Sequence, residues 1–410
     1  MKRVVVIGAG AAGLMAATQA AGRGHKTIAL EYMHRPARKI LVTGKGRCNV
    51  TNNCNVQGFI SQMTKNGRFM YSAFSGFTAQ DTISFFEDCG VKLKVERGNR
   101  VFPVSDRAMD IADALVGKAK KSGVEFKNGK AEAVLTENSA VKAVLLCDGT
   151  KIECDGVVLA TGGCSYPATG SDGSGYKIAQ NLGHNIIKPV ASLIPIVVRQ
   201  SWCEQLQGLS LRNVELNVYK ASDGKRVFSG FGEMMFTHYG VTGPLVLSAS
   251  AHMRSLPEVS YSLEIDLKSA LTYEQLDARI LKDFSLYSGR DFCNCLGDLL
   301  PKSLIPVIVN LSGIPKNTKV NQITKKQREG LVKLIKGLCL EAIDLRPIEE
   351  AIVTSGGVDV GQINPKTMES KLIKNLHFAG EVIDVDAYTG GFNLQIAFST
   401  GYCAGNNILK

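Results

Sequence analysis

At 410 residues, with 45% hydrophobic and 21% charged side chains, the chain is long enough for two or three globular domains and is neither disordered nor fibrous. Its eleven cysteines, an odd number with no CxxC pair, exclude a disulfide framework and read as the reduced thiols of a cytoplasmic protein. The formal net charge of +11 gathers in an early and a late cluster.

The first element is a strand, Val4-Val5-Val6-Ile7, followed by Gly8-Ala9-Gly10-Ala11-Ala12-Gly13 and an Ala-rich helical stretch. A second strand, Thr27-Ile28-Ala29-Leu30, is closed by Glu31. This is the strand–turn–helix–strand–acid pattern of an adenine-dinucleotide site. Gly8 permits the tight turn, Gly10 the approach of a pyrophosphate, and Gly13 the close packing of helix on strand. The acid falls about 20 residues on, where a carboxylate can take ribose hydroxyls. Met1-Lys2-Arg3 before an uncharged run imitates a secretion signal, but glycines at dinucleotide spacing and Gln19 argue against one. The early cations, Arg23 to Arg47, surround this site and suit pyrophosphate charge.

From Val124 to Ala160 the pattern is β-rich, with strands near Val124–Phe126, Ala131–Leu135 and Val141–Leu146, a turn at Asp148-Gly149, and Gly156–Ala160. Between Leu193 and Leu267, alternation at Val214/Leu216/Val218 and Tyr261/Leu263/Ile265/Leu267 predicts an antiparallel β domain. Thr272 with Gln275, and Thr324 with Gln327, fit capping boxes ahead of apolar stripes at helical spacing. The late cations, Lys316 to Lys336, read as a solvated helix face because no aromatics interleave them. Cys293 and Cys295 form a lone C-x-C, too little for a metal site, and no metal is expected.

The last residues return to nucleotide-domain style. A strand at Leu376–Ala379 leads to Gly380-Glu381, and Gly391-Phe392-Asn393 opens a helix. A carboxylate after the strand can bind a ribityl hydroxyl, and a helix N-terminus can face the flavin N1–C2=O edge. Two glycine-rich turns at opposite ends of the chain thus point to FAD rather than NAD alone. The expected divisions are 1–192, 193–267 (β-rich), 268–331 (helical), 332–353 (return through the β domain) and 354–410.

Further motifs are Arg38-Lys39-Ile40-Leu41-Val42-Thr43-Gly44-Lys45-Gly46-Arg47-Cys48-Asn49, Ala160-Thr161-Gly162-Gly163, Phe236-Thr237-His238-Tyr239-Gly240 and Gly390-Gly391-Phe392-Asn393. In these the chain resembles, from end to end, the bacterial flavoproteins that include aminoacetone oxidases and BaiN-type proteins. The resemblance implies an α/β, Rossmann-like (glutathione-reductase-like) FAD domain with an inserted β-barrel-like domain and a helical subdomain. It implies that Glu31 and Lys39 serve the adenosine half and that Arg38 belongs to the cofactor set. Ala11, Ala12, Thr161 and Gly162 join the cofactor set; Gly44, Gly46, Arg47, Cys48 and Asn49 line pyrophosphate and flavin; Gly380, Glu381, Gly391, Phe392 and Asn393 hold ribityl and ring.

The first expectation for the reaction is reduction of a 3-oxo-Δ4 or Δ4,6 bile-acid-like enone, an apolar ketone. FAD would be the cofactor and NADH or NADPH a transient reductant. The second is oxidation of a small amine by O₂; an RNA-modifying flavoprotein is the remote third. No nucleic-acid or membrane partner is expected. Hydride transfer to an enone needs a donor at the carbonyl and an acid at the neighbouring carbon, for which His238, Tyr239 and Tyr388 are the candidates. Cys48, lacking a CxxC partner, is expected to pack rather than react.

Overall fold

The computed structural model describes residues 1–410. Chain contacts divide it into two compact units: Met1–Ser192 with Pro347–Lys410, and Leu193–Arg346.

The first unit is organised by a five-stranded parallel sheet in the spatial order Leu376–Phe378, Gly156–Leu159, Arg3–Ile7, Lys26–Glu31, Glu125–Asn128. Val4, Val5, Val6, Val157, Val158 and Leu159 are fully buried. A parallel sheet covered on both faces requires such uninterrupted apolar strands. An antiparallel meander, Ala131–Glu137, Ala140–Leu146 and Lys151–Glu153, precedes the return to the sheet at Gly156. Residues 51–121, which the sequence pattern left undescribed, add short helices, a small antiparallel sheet and the helix Ala108–Lys121.

Two helices sit side by side on the main sheet: the first helix, Ala11–Gly22, and the C-terminal helix, Phe392–Asn407. Their contact is a seam of small residues. A Cβ on Gly401 would fall 2.3 Å from the Ala12 carbonyl oxygen, and one on Gly405 2.3 Å from that of Ala16. Both numbers rise together, so the helices run parallel and present their N-termini in the same direction. Phe392 lies nine residues before Gly401, whereas Ala11 lies one before Ala12. The C-terminal helix therefore starts about 12 Å further out, eight residues at roughly 1.5 Å each.

The second unit is a closed six-stranded antiparallel barrel. Its order is Ile196–Val198, Gly240–Thr242, Arg226–Thr237, Ser210–Lys220, Tyr261–Asp266, Leu338–Leu345. The helices Tyr273–Leu286, Ile305–Ser312 and Lys325–Lys336 fill the span between its last two strands. Thr272/Gln275 and Thr324/Gln327 both form reciprocal capping boxes. The expected separation into β and helical divisions is not seen. Leu216, Leu263 and Ile265 share one core with Leu276, Ile280, Leu331 and Ile335. The unit also ends at Arg346 rather than 353, because Leu338–Leu345 closes the barrel against both Ile196–Val198 and Tyr261–Asp266. No helix in the chain is long and apolar enough to cross a membrane, and all eleven cysteines are free.

Candidate functional site: a dinucleotide cleft

A cleft that lies wholly in the first unit runs from the Gly8–Gly13 turn to the N-terminal part of the C-terminal helix. Gly8, Gly10, Ala11, Ala12, Glu31, Arg38, Lys39, Thr161, Gly162, Gly380, Glu381 and Asn393 all line it.

The three fingerprint glycines have distinct surroundings. A Cβ on Gly8 (φ +98°) would meet the Ala160 carbonyl oxygen at 2.5 Å, and one on Gly13 the Gly8 carbonyl oxygen at 1.8 Å. Around Gly10 nothing lies within 4 Å. Two glycines are thus consumed by packing and the middle one opens onto empty space, as approach of a pyrophosphate requires. Neither flanking helix has an acidic residue in its first turn or a side chain capping its N-terminus. Their first N–H groups and positive dipole ends remain available to an anion or polar ring edge. The Oγ1 of Thr161 is buried at the cleft without a hydrogen-bond partner.

Glu31 stands at the end of its strand and accepts hydrogen bonds from the backbone N–H of Met33 (2.9 Å) and Ala9 (3.2 Å). Burial raises its carboxyl above the usual range, against the pull of those N–H donors. Beside it lies the segment Gly170–Ser174, which follows no strand and so carries no sequence signature of a nucleotide site. A Cβ on Gly170 would touch Met33 and approach Tyr32 and Glu31. Asp172 accepts from Lys130 at 2.6 Å, and Lys130 sits 5.0 Å from the Tyr32 ring centroid. Burial and then Asp172 push the Tyr32 phenol up to about 12. Burial opposes ionisation of Asp172, but the bonds from Lys130 and Ser174 prevail and hold it at about 2. Lys130, Tyr32 and Ser171 complete the Glu31 end of the cleft, and all three escaped the sequence motifs.

Several expected contacts are placed differently. Lys39 is tied within the chain: its Nζ donates to Glu381 Oε2 (2.7 Å) and Ser165 Oγ (2.6 Å). The other Glu381 oxygen accepts from Ser165 Oγ (3.1 Å) and the Thr354 N–H (2.7 Å). Glu381, which lines the cleft, therefore ties four chain segments together. Arg47 leaves the cleft altogether, pairing with Glu96 and Asp106 and stacking 4.2 Å from the Phe102 ring centroid. Gly44, Gly46, Cys48 and Asn49 do not line the cleft either. They build the turn after Thr43, in which Gly44, Gly46 and Cys48 have positive φ. Cys48 is fully buried and its thiol is pushed up to about 12 by that burial, a packed and inert group. Gly391 and Phe392 face inward: a Cβ on Gly391 would strike the Thr51 backbone at 2.4 Å, and Phe392 packs edge-on against Phe59. The Asn393 amide braces the preceding loop, accepting from Ala387 N–H and donating to the carbonyls of Ala387 and Tyr388.

Of the three candidates for proton transfer, Tyr388 belongs to that braced loop at the start of the C-terminal helix. His238 and Tyr239 lie in the second unit, at the turn between Arg226–Thr237 and Gly240–Thr242. Their rings meet edge-on at 4.8 Å, and the Arg346 guanidinium covers the Tyr239 ring.

A parallel sheet, a glycine fingerprint and two staggered helix N-termini over one long cleft define an FAD-binding oxidoreductase of Rossmann type. Residues 2–407 match the model of the HI0933-like protein Rossmann domain, and the chain belongs to that family of FAD-dependent oxidoreductases. It is 31% identical to the ribosomal RNA dihydrouridine synthase of Escherichia coli, over 99% of this chain and 97% of that one. It is equally 31% identical to the 3-dehydro-bile acid delta(4,6)-reductase of Clostridium scindens, over 99% and 98%. In fold it resembles the 3-ketosteroid-delta4-(5alpha)-dehydrogenase of Rhodococcus jostii, with a TM-score of 0.54 at 17% identity over 100% of this chain and 97% of that one.

Proposed function

We propose that this chain is a reductase that saturates a C=C bond conjugated to a carbonyl group, with FAD in the cleft described above and a nicotinamide as source of electrons. The support is chemical: the names of the two relatives describe one transformation on different molecules. Dihydrouridine arises from saturation of the uracil C5=C6 bond, conjugated to C4=O. A 3-dehydro Δ4,6 bile acid presents a C=C bond conjugated to its C3 ketone. When bound, FAD supplies hydride chemistry at N5. The protein must then place a hydrogen-bond donor at the carbonyl and an acid at the carbon next to it.

The residues present fit the cofactor. Gly10 leaves room for a pyrophosphate, the first helix offers its N–H groups, and Glu31, at the end of its strand in the cleft, would take ribose hydroxyls. The C-terminal helix, starting about 12 Å further along, would offer a second N-terminus to the isoalloxazine of a bound FAD. Tyr388, on the loop that Asn393 clamps, is our first choice for the proton donor, ahead of His238 and Tyr239.

For the substrate we give first place to a uracil in folded RNA, reversing the order drawn from motifs. The net charge of +11 carries this choice, since a polyanion gains far more from it than the single carboxylate of a bile acid does. The bile-acid-like enone stands second, on the strength of the C. scindens relative. The deciding experiment mixes the yellow holoprotein anaerobically with NADH or NADPH, then with a ribosomal RNA transcript or a 3-oxo-Δ4,6 steroid. Recovery of the oxidised flavin spectrum by RNA, with uridines gaining two hydrogens by mass spectrometry, is the expected result. Recovery by the steroid alone promotes the second substrate; recovery by neither defeats the proposed reaction.

A further inference from the structure

The second unit carries its charge unevenly. Between Lys302 and Lys336 there are eight lysines or arginines and a single carboxylate, Glu329. Four of the cations are held: Lys319 by Asp291, Lys325 by Glu329, Arg328 by Asp277 and Lys336 by Asp266. The other four, Lys302, Lys316, Lys326 and Lys333, are exposed and form no ion pair. They are displayed on or beside helices Ile305–Ser312 and Lys325–Lys336, which pack on each other. Lys326 and Lys333 are seven residues apart on one helix, two turns and about 10 Å along the same face. A Cys293 N–H bond to the Lys316 carbonyl (3.2 Å) fixes the loop that carries Lys316.

Two features narrow what such a surface can hold. Leu331, Val332 and Ile335 of the basic helix are all buried, so no apolar face is left to enter a bilayer. Residues 302–336 contain no Phe, Tyr or Trp, so unpaired bases have nothing to stack on. Exposed cations without stacking rings suit recognition of phosphates on a base-paired helix.

Resting on the RNA substrate proposed above, we infer that the helical layer of the second unit is a docking surface for the phosphate backbone of base-paired RNA.

The test compares the full-chain holoprotein with a variant carrying K302Q, K316Q, K326Q and K333Q, all exposed positions outside the cleft. A ribosomal RNA hairpin, a polyuridine oligomer and phosphatidylserine vesicles serve as probes. Flavin content and NAD(P)H consumption report an intact fold. The inference requires the hairpin Kd to rise at least tenfold and the salt slope of log K to fall by about one for each contact removed. The wild type must also prefer the hairpin to polyuridine. Unchanged hairpin affinity and slope, or a loss confined to vesicles, overturns it. If the wild type converts uridine and the variant does so equally well at all salt concentrations, the docking surface fails and the substrate stands. If hairpin binding is lost in the variant but the wild type converts no uridine, the surface stands and the substrate fails.

Discussion

Replacing Gly10 with Ala probes the cleft most directly, because the three fingerprint glycines differ so sharply in their surroundings. Gly10 has extended backbone angles (φ −83°, ψ −166°) that alanine adopts without strain, and a methyl there meets nothing within 4 Å. The apoprotein should lose only the modest advantage of glycine at a helix N-terminus, about 0.5–1 kcal/mol. The methyl nevertheless projects into the space above the first-helix N–H groups. Losing one charge-assisted hydrogen bond there costs about 1.5–3 kcal/mol, a rise in FAD Kd of roughly tenfold to over a hundredfold. Gly13→Ala is the contrast: its methyl would lie 1.8 Å from the Gly8 carbonyl oxygen, so helix and strand must part. That variant should lose about 3 kcal/mol or more of stability even without flavin. Flavin fluorescence quenching gives the affinity and urea unfolding of the apoprotein gives the stability. If Gly10→Ala holds FAD as tightly as the wild type, no pyrophosphate crosses this turn and the placement of the cofactor is wrong.

Two further outcomes follow from groups outside the fingerprint. Lys39→Met leaves the Glu381 carboxylate with only Ser165 and the Thr354 N–H; since both partners of the pair are about one-fifth exposed (24% and 19%), the expected cost is about 1–2 kcal/mol. Adding Glu381→Gln should recover part of it in a double-mutant cycle by urea unfolding, and full additivity would mean that the pair holds nothing. His377 is buried in the edge strand of the main sheet, and that burial lowers its imidazole to about 3. Below about pH 6.5 the unfolded chain takes up a proton that the folded chain refuses, so stability is full above that pH and falls as pH drops towards 3, by about 1.4 kcal/mol per unit. His377→Leu should therefore gain about 2 kcal/mol on the wild type between pH 7.5 and pH 5, and a gap independent of pH would refute the assignment.

What could be read from the sequence was what neighbouring residues decide among themselves. The spacing of Gly8, Gly10 and Gly13 specifies a strand–turn–helix, because each glycine answers a clash within the same supersecondary unit. Thr272 and Thr324 signal helix starts because their capping partners stand three residues away. Side-chain partners chosen across the fold were not legible. Lys39 meets Glu381 over 342 residues of chain, and Arg47 meets Glu96 over 49. A cation near a nucleotide motif reads the same whether it faces a phosphate or a carboxylate. The Glu31 end of the cleft was missed for a related reason. Lys130, Tyr32 and Asp172 form a cluster only after the meander folds back, and no fixed spacing records it. The barrel was visible as alternation, but its closure by Leu338–Leu345 depends on pairing across three intervening helices.

The edge strand Leu376–Phe378 and the helix that ends at Asn407 lie far along the chain, yet they complete the layer that Arg3–Ile7 begins. A polypeptide interrupted in the preceding two hundred residues therefore lacks the stretch that gives Gly380, Glu381 and Asn393 to the cleft wall. With FAD bound as proposed, retention of the yellow colour would report that both of these distant stretches have met in one sheet.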